Sequence, residues 1–142
     1  MIIPDVNVLV YAFREDSLRH DEYRAWLHER LRSREAFGIS ELVLSGAMRV
    51  LTHPRIFSPP TPVARVLEFM EALRDQPNVV LLRPGERHWE IFTDLCRSNG
   101  AKGNLVADAY HAALAIETGS EWITTDRGFA GYPGLRWRHP LG

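Results

Sequence analysis

The sequence has one cysteine, Cys96, and one lysine, Lys102. It has no uncharged apolar run of the roughly 18 residues that a membrane-crossing helix needs. A lone thiol closes no internal disulfide, which excludes a disulfide-framed secreted scaffold and fits a reducing cytoplasm. Neither charge is in surplus: 17 basic residues face 18 acidic ones for a net charge of −1, so no basic composition announces nucleic acid. Internal repeats, low-complexity tracts and linkers are absent. The opening Met1-Ile2-Ile3-Pro4-Asp5 lacks a positive segment and meets an acid at once, so no signal peptide is expected. What is present is ordinary for one globular domain spanning 1–142: 45% of residues are apolar and 25% charged. Every basic residue but Lys102 is arginine, the side chain better suited to bidentate phosphate contacts, although GC-rich codon usage produces the same bias.

Apolar periodicity alternates between short runs and helical stripes. Met1-Ile2-Ile3 is a short run, and Val6–Phe13 continues in a helical pattern. Asp16-Ser17 is placed to cap a helix striped by Tyr23, Trp26, Leu27 and Leu31. The run Ala36–Ile39 follows, and then Ser40 caps a helix carrying Val43, Ala47, Val50 and Leu51. Four prolines between His53 and Pro62 read as a loop. Val63, Val66, Leu67 and Met70 mark another helix, and Val79–Leu82 reads as a buried parallel strand. Trp89, Phe92, Leu95 and Cys96 stripe the next helix; Asn104 opens, and by its type would cap, a further one that ends at Gly119 in the C′ position. Trp122–Thr125 is a strand, with Leu135–Trp137 a candidate last one. Strands alternating with helices predict right-handed crossovers and a three-layer α/β/α domain around a mostly parallel, twisted sheet.

In open parallel sheets, ligands sit beyond the carboxyl ends of the strands. Three acids directly follow predicted strands there: Asp5, Glu41 and Asp126. Each has a plainer use. Asp5 can cap the helix after it, Glu41 favours a helix dipole from its first turn, and Asp126 can shape the turn before Arg127-Gly128. Asp108 borders the inward strip Leu105, Ala109, Ala112, Ala113 and Ile116, where a carboxylate is partly desolvated and needs a partner, be it an arginine, a backbone donor or a cation. Two carboxylates about 4 Å apart repel by ~4 kcal/mol at an effective dielectric near 20, so four converging acids call for protons or a cation. An all-oxygen ligand set without a Cys/His constellation favours Mg²⁺ or Mn²⁺ over Zn²⁺. Asn7 and Thr124, two residues from Asp5 and Asp126 respectively, are placed to orient those acids or hold waters.

These pieces resemble a PIN-domain ribonuclease, in particular a VapC-type toxin of a bacterial toxin–antitoxin pair. The matching segments are Asp5-Val6-Asn7-Val8-Leu9, Glu41 after the second strand, Asn104-Leu105-Val106-Ala107-Asp108-Ala109, and Ile123-Thr124-Thr125-Asp126-Arg127-Gly128-Phe129. Many members carry a further acid two residues after the last aspartate, where this chain has Gly128. The resemblance implies a Mg²⁺-dependent endoribonuclease that cleaves structured RNA through a metal-activated water, with Asp5, Glu41, Asp108 and Asp126 as catalytic and metal-binding residues. It further implies silencing by a cognate VapB-type antitoxin and a homodimer that assembles with it into a hetero-oligomer. RNA reaching an acidic pocket calls for a basic rim, for which Arg14, Arg49, Arg55, Lys102 and Arg127 are candidates beside the motifs, solvated surface being their alternative. Two rival readings are a catalytically idle PIN-like domain that binds RNA or protein, and a haloacid-dehalogenase-like phosphohydrolase. The latter rests on Asp5-Val6-Asn7-Val8, with Asn7 where that family has its second acid.

Overall fold

The computed structural model describes residues 1–142. Five strands, β1 (Ile2–Pro4), β2 (Phe37–Ser40), β3 (Val79–Leu82), β4 (Glu121–Ile123) and β5 (Trp137–Arg138), form one sheet in the order β3-β2-β1-β4-β5. All four pairings are parallel. Helices α1 (Val6–Phe13) and α2 (His20–Arg32) connect β1 to β2, and α3 (Glu41–Leu51) and α4 (Val63–Arg74) connect β2 to β3. Helices α5 (His88–Asn99) and α6 (Asn104–Glu117) then carry the chain back across the sheet to β4.

That order has a functional consequence. From β1 the chain steps outward through β2 to β3, then returns past β1 to β4, reversing direction across the sheet. Right-handed crossovers therefore place α1–α4 on one face and α5–α6 on the other. Between β1 and β4 the connections leave in opposite directions, which opens a crevice at the carboxyl ends of those two strands. The register Pro4↔Ile123 puts the residues that follow, Asp5 and Thr124, side by side at its mouth.

The core runs through both layers: Ile3, Leu9, Phe37, Ile39, Leu51, Val66, Trp122 and Ile123 are nearly or wholly sealed from solvent. Ala109, Ala112, Ala113 and Ala115 are fully buried on α6, so small side chains bring this helix down onto the sheet. Gly119, with φ 65°, takes the left-handed position just past the end of α6, as its sequence position predicts. No helix is long and apolar enough to cross a membrane.

Several local expectations are corrected. Asp16-Ser17 does not cap α2; Arg19 is the N-cap residue and the Asp16 carboxylate is held instead by Arg14. Nor does Asn104 cap α6, since it lies inside the first turn after Gly103. The run Val79–Leu82 lies at the sheet edge rather than in its middle, with Val80 and Leu81 left 41% and 46% exposed. Apolar content reads the same for an edge strand that outreaches its helices as for a central one. Trp89, Val63, Leu67 and Leu105 also face outward, and the buried faces of their helices are set by Leu95, by Val66, Met70 and Leu73, and by the alanines.

Candidate active site

Asp5 leaves β1 in extended conformation and becomes the N-cap of α1, so strand end and helix start fix one side chain. Its Oδ1 accepts the backbone N–H of Val6 at 2.6 Å. Its Oδ2 accepts the Thr124 hydroxyl at 2.7 Å and, at 3.4 Å, the Asn7 amide. Only 8% of Asp5 is exposed, and burial raises its pKa despite the Thr124 and Val6 hydrogen bonds; the charge of Asp126 adds to the rise. Thr124 is fully buried and bridges the crevice: its hydroxyl donates to Asp5 and accepts the backbone N–H of Asp126 at 3.0 Å. Asn7 and Thr124 thus both contact Asp5, and Thr124 also contacts the Asp126 backbone.

Asp126 turns back on itself, its Oδ1 accepting the Gly128 N–H at 2.8 Å ahead of the short 3₁₀ helix Arg127–Gly131. A Cβ at position 128 would stand 3.0 Å from that same oxygen. Glycine at position 128 thus permits this tight carboxylate turn. Asp108, one turn into α6, is half-buried and meets no hydrogen-bond donor. Desolvation, reinforced by the charges of Asp5 and then Asp126, raises its pKa to about 6. Three aspartates from three distant segments thus share one electrostatic environment.

Glu41 has no hydrogen-bond or charge contact with them. It opens α3 at the carboxyl end of β2, but its side chain is 67% exposed and its ionic neighbour is Arg83, 3.9 Å away. The aspartates are also not gathered at coordination spacing, since no group of three or more His, Cys, Asp or Glu side chains is arranged to hold a metal ion. The donor set nevertheless fits a hard cation. Asp108 has both oxygens free, and the buried Oδ1 of Asn7 beside Asp5 has no partner, a vacancy that costs ~1–3 kcal/mol if nothing fills it.

Among the proposed rim residues, Arg49, Arg55, Lys102 and Arg127 are exposed with no side-chain acceptor. Arg14 is not available for RNA. Its guanidinium pairs with Asp16 at 2.6 Å, donates to the Pro59 carbonyl at 3.0 Å and the Thr61 hydroxyl at 3.2 Å, and lies 4.1 Å from the Phe57 ring centroid. It staples the proline-rich loop to the end of α1.

Sequence reading missed Tyr132. Its hydroxyl donates to the Leu105 carbonyl at 3.2 Å, in the first turn of the helix that carries Asp108. Its ring lies 5.6 Å from Phe129, which follows Asp126 by three residues. Burial, with the charges of Asp108, Cys96 and Asp126, pushes its pKa to about 12, which keeps it a donor. Tyr132 therefore fastens the Asp126 segment to the Asp108 helix, and nothing in its local sequence marks it.

A family profile described as PIN domain matches residues 2–135. The chain is 45% identical to "VapC ribonuclease Mb2897" of Mycobacterium bovis over 141 residues, covering 99% of this chain and 96% of that protein. It is 35% identical to "Ribonuclease VapC25" of Mycobacterium tuberculosis over 140 residues, 99% of each. Among solved structures, VapBC2 from Rickettsia felis bound to a DNA fragment from its promoter superimposes with TM-score 0.72 at 18% identity, covering 98% of both chains. VapC20 from Mycobacterium tuberculosis, described as a Sarcin-Ricin loop cleaving toxin, does so with TM-score 0.66 at 16% identity, covering 96% of this chain and 99% of that one.

Proposed function

From the premise that the chain belongs to the PIN domain family and is a VapC-type ribonuclease toxin, we propose that it hydrolyses phosphodiester bonds of structured RNA with a divalent cation held by Asp5, Asp108 and Asp126. The observation that carries this reading is the mutual charge effect of those three carboxylates: burial and then the charges of Asp5 and Asp126 raise the pKa of the unpaired Asp108. Mg²⁺, or Mn²⁺ in its place, suits oxygen donors, and when bound it supplies an activated water and charge stabilisation on a phosphoryl oxygen.

The chain's own residues do the positioning. Thr124 fixes the Asp5 carboxylate and the Asp126 backbone in one hydrogen-bonded unit. Asn7 presents an unsatisfied oxygen to the same pocket. Asp108, raised to about 6 without a cation, would be held in its charged, ligating form by a bound dication. Glu41 serves from the rim, where it orients solvent or substrate rather than ligating directly. Arg49, Arg55, Lys102 and Arg127 supply basic surface for the RNA backbone, which would reach the crevice as an unstacked segment.

The VapBC complex among its structural neighbours supports a cognate VapB-type antitoxin as partner, and the proposal includes a homodimer that joins it in a hetero-oligomer. Incubating the purified protein with total RNA, with and without Mg²⁺, and sequencing the new ends tests the activity. Defined new ends that need the metal are expected. Intact RNA under both conditions would leave an idle PIN-like binding domain.

A further inference from the structure

A second feature lies at the same sheet edge and is basic. Arg127, Trp137, Arg138, His139 and Gly142 line a cleft of about 300 Å³. Three links tie it to the acids. Arg127 directly follows Asp126. The Arg138 carbonyl accepts the backbone N–H of Thr124 at 3.1 Å. Thr124 in turn donates its hydroxyl to Asp5. The cleft thus neighbours the crevice, one strand further along the sheet.

Its donors are largely unspent. Arg127 is exposed and has no acceptor in the protein. Arg138 uses only its Nε, on Glu121 at 2.8 Å, so both Nη groups are free. His139 accepts the Leu141 N–H on Nδ1 at 3.1 Å, which places the ring proton on Nε2 as a further donor. Half-buried Trp137 pairs with Trp122 in the sheet and offers the cleft its one apolar wall. Arginines and a tryptophan lining one cleft supply the chemistry that binds a nucleotide: a phosphodiester bridged by the arginines, a base or ribose against the indole.

We propose that this cleft is an RNA-binding subsite that holds the nucleotide next to the scissile phosphodiester, with Arg127 and Arg138 on its phosphate. The proposal rests on the ribonuclease reading for its register but not for its binding. It explains how a polyanion approaches three acids in a protein whose net charge is −1: the favourable field is local, one strand away from the carboxylates.

Binding of a short fluorescein-labelled single-stranded RNA in EDTA, followed by anisotropy across a salt series, tests it. The Arg127→Ala/Arg138→Gln variant should weaken binding by about tenfold and lower the slope of log affinity against log salt by about 0.7 per lost contact. Its melting temperature should match wild type. The Arg127→Lys/Arg138→Lys variant should keep the slope, and Arg34→Ala, ahead of β2 at the amino end of the strands, should keep both affinity and slope. Wild-type affinity and slope in the first variant would overturn the subsite, as would an equal loss in Arg34→Ala. Should the wild-type protein bind this RNA through the two arginines yet leave total RNA intact with Mg²⁺, the subsite stands and the ribonuclease reading falls.

Discussion

Asp108 is a carboxylate whose folded environment opposes its charge. Its pKa of about 6 lies above the 3.8 of an ordinary aspartate, so the folded state prefers the proton. Its contribution to stability is therefore full below pH ~4 and is lost as pH rises through about 6. Because the group is only half-buried, solvent screening reduces the penalty at neutral pH to on the order of 1–2 kcal/mol. Asp108→Asn should accordingly raise the metal-free melting temperature at pH 7.5 by about 3–6 °C and change it little at pH 4. A lower melting temperature at pH 7.5 would mean that the carboxylate has a structural partner. RNA cleavage by the same variant should fall at least about 100-fold, the scale of losing one acid–base or positioning group. Thr124→Val removes a donor from Asp5 and an acceptor from Asp126 without changing the side chain's shape. It should destabilise the protein by about 1–3 kcal/mol in urea unfolding, with Thr124→Ser recovering most of that. At this scale the sequence was informative for the aspartates because each follows a strand or borders a helix strip. It could not show that Glu41 stands exposed beside Arg83, since a helix's first turn puts residues on several sides. Nor could it show that Arg14 is consumed, because its acceptors Pro59 and Thr61 are about 45 residues distant.

The elements were legible where burial is one-sided. Helix α3, with its Ser40 cap bonded to the Val43 N–H, follows its apolar spacing closely. The strands β1, β2 and β4 were identified within a residue or two at each end, but the strand order was not readable, since adjacency depends on which crossover reverses. Position at the sheet edge is a tertiary property too, and so Val80 and Leu81 read as core. Tyr132 acts between elements, joining the 3₁₀ helix after Asp126 to α6. Tyr132→Phe keeps the ring packing and loses one hydrogen bond, so it should cost about 1 kcal/mol of stability. It should also reduce cleavage more than that cost explains, because the two acid-bearing segments lose their tie. Cleavage at the wild-type rate in Tyr132→Phe would make the hydroxyl a structural ornament only. The subsite of β5 did leave a trace in the sequence: Arg136-Trp137-Arg138-His139 interleaves basic and aromatic residues at the end of a strand.

For the whole molecule, acid stability combines two opposed titrations. His111, buried and stacked on Trp122 at 5.2 Å, has its pKa lowered to about 4 by desolvation. The unfolded chain takes up its proton first, so the stability that His111 contributes is complete above pH ~6.5 and is lost as pH falls toward 4. Asp108 acts the other way over nearly the same range. The His111→Phe variant, if its ring is accommodated, should therefore resist acid unfolding better than wild type between pH 6 and 4. An unchanged acid midpoint would show that the imidazole titrates alike in the folded and unfolded chains. A divalent cation that binds only the folded protein adds stability by mass action, about 2.7 kcal/mol at a hundredfold excess over Kd. The central claim, that Asp5, Asp108 and Asp126 form one cation site, is tested most directly by titrating Mn²⁺ into the metal-free protein and following the loss of the free-ion electron paramagnetic resonance signal. Saturable binding to the wild type and its loss in both Asp5→Asn and Asp108→Asn are predicted. Equal Mn²⁺ uptake by the wild type and both folded variants would contradict the account.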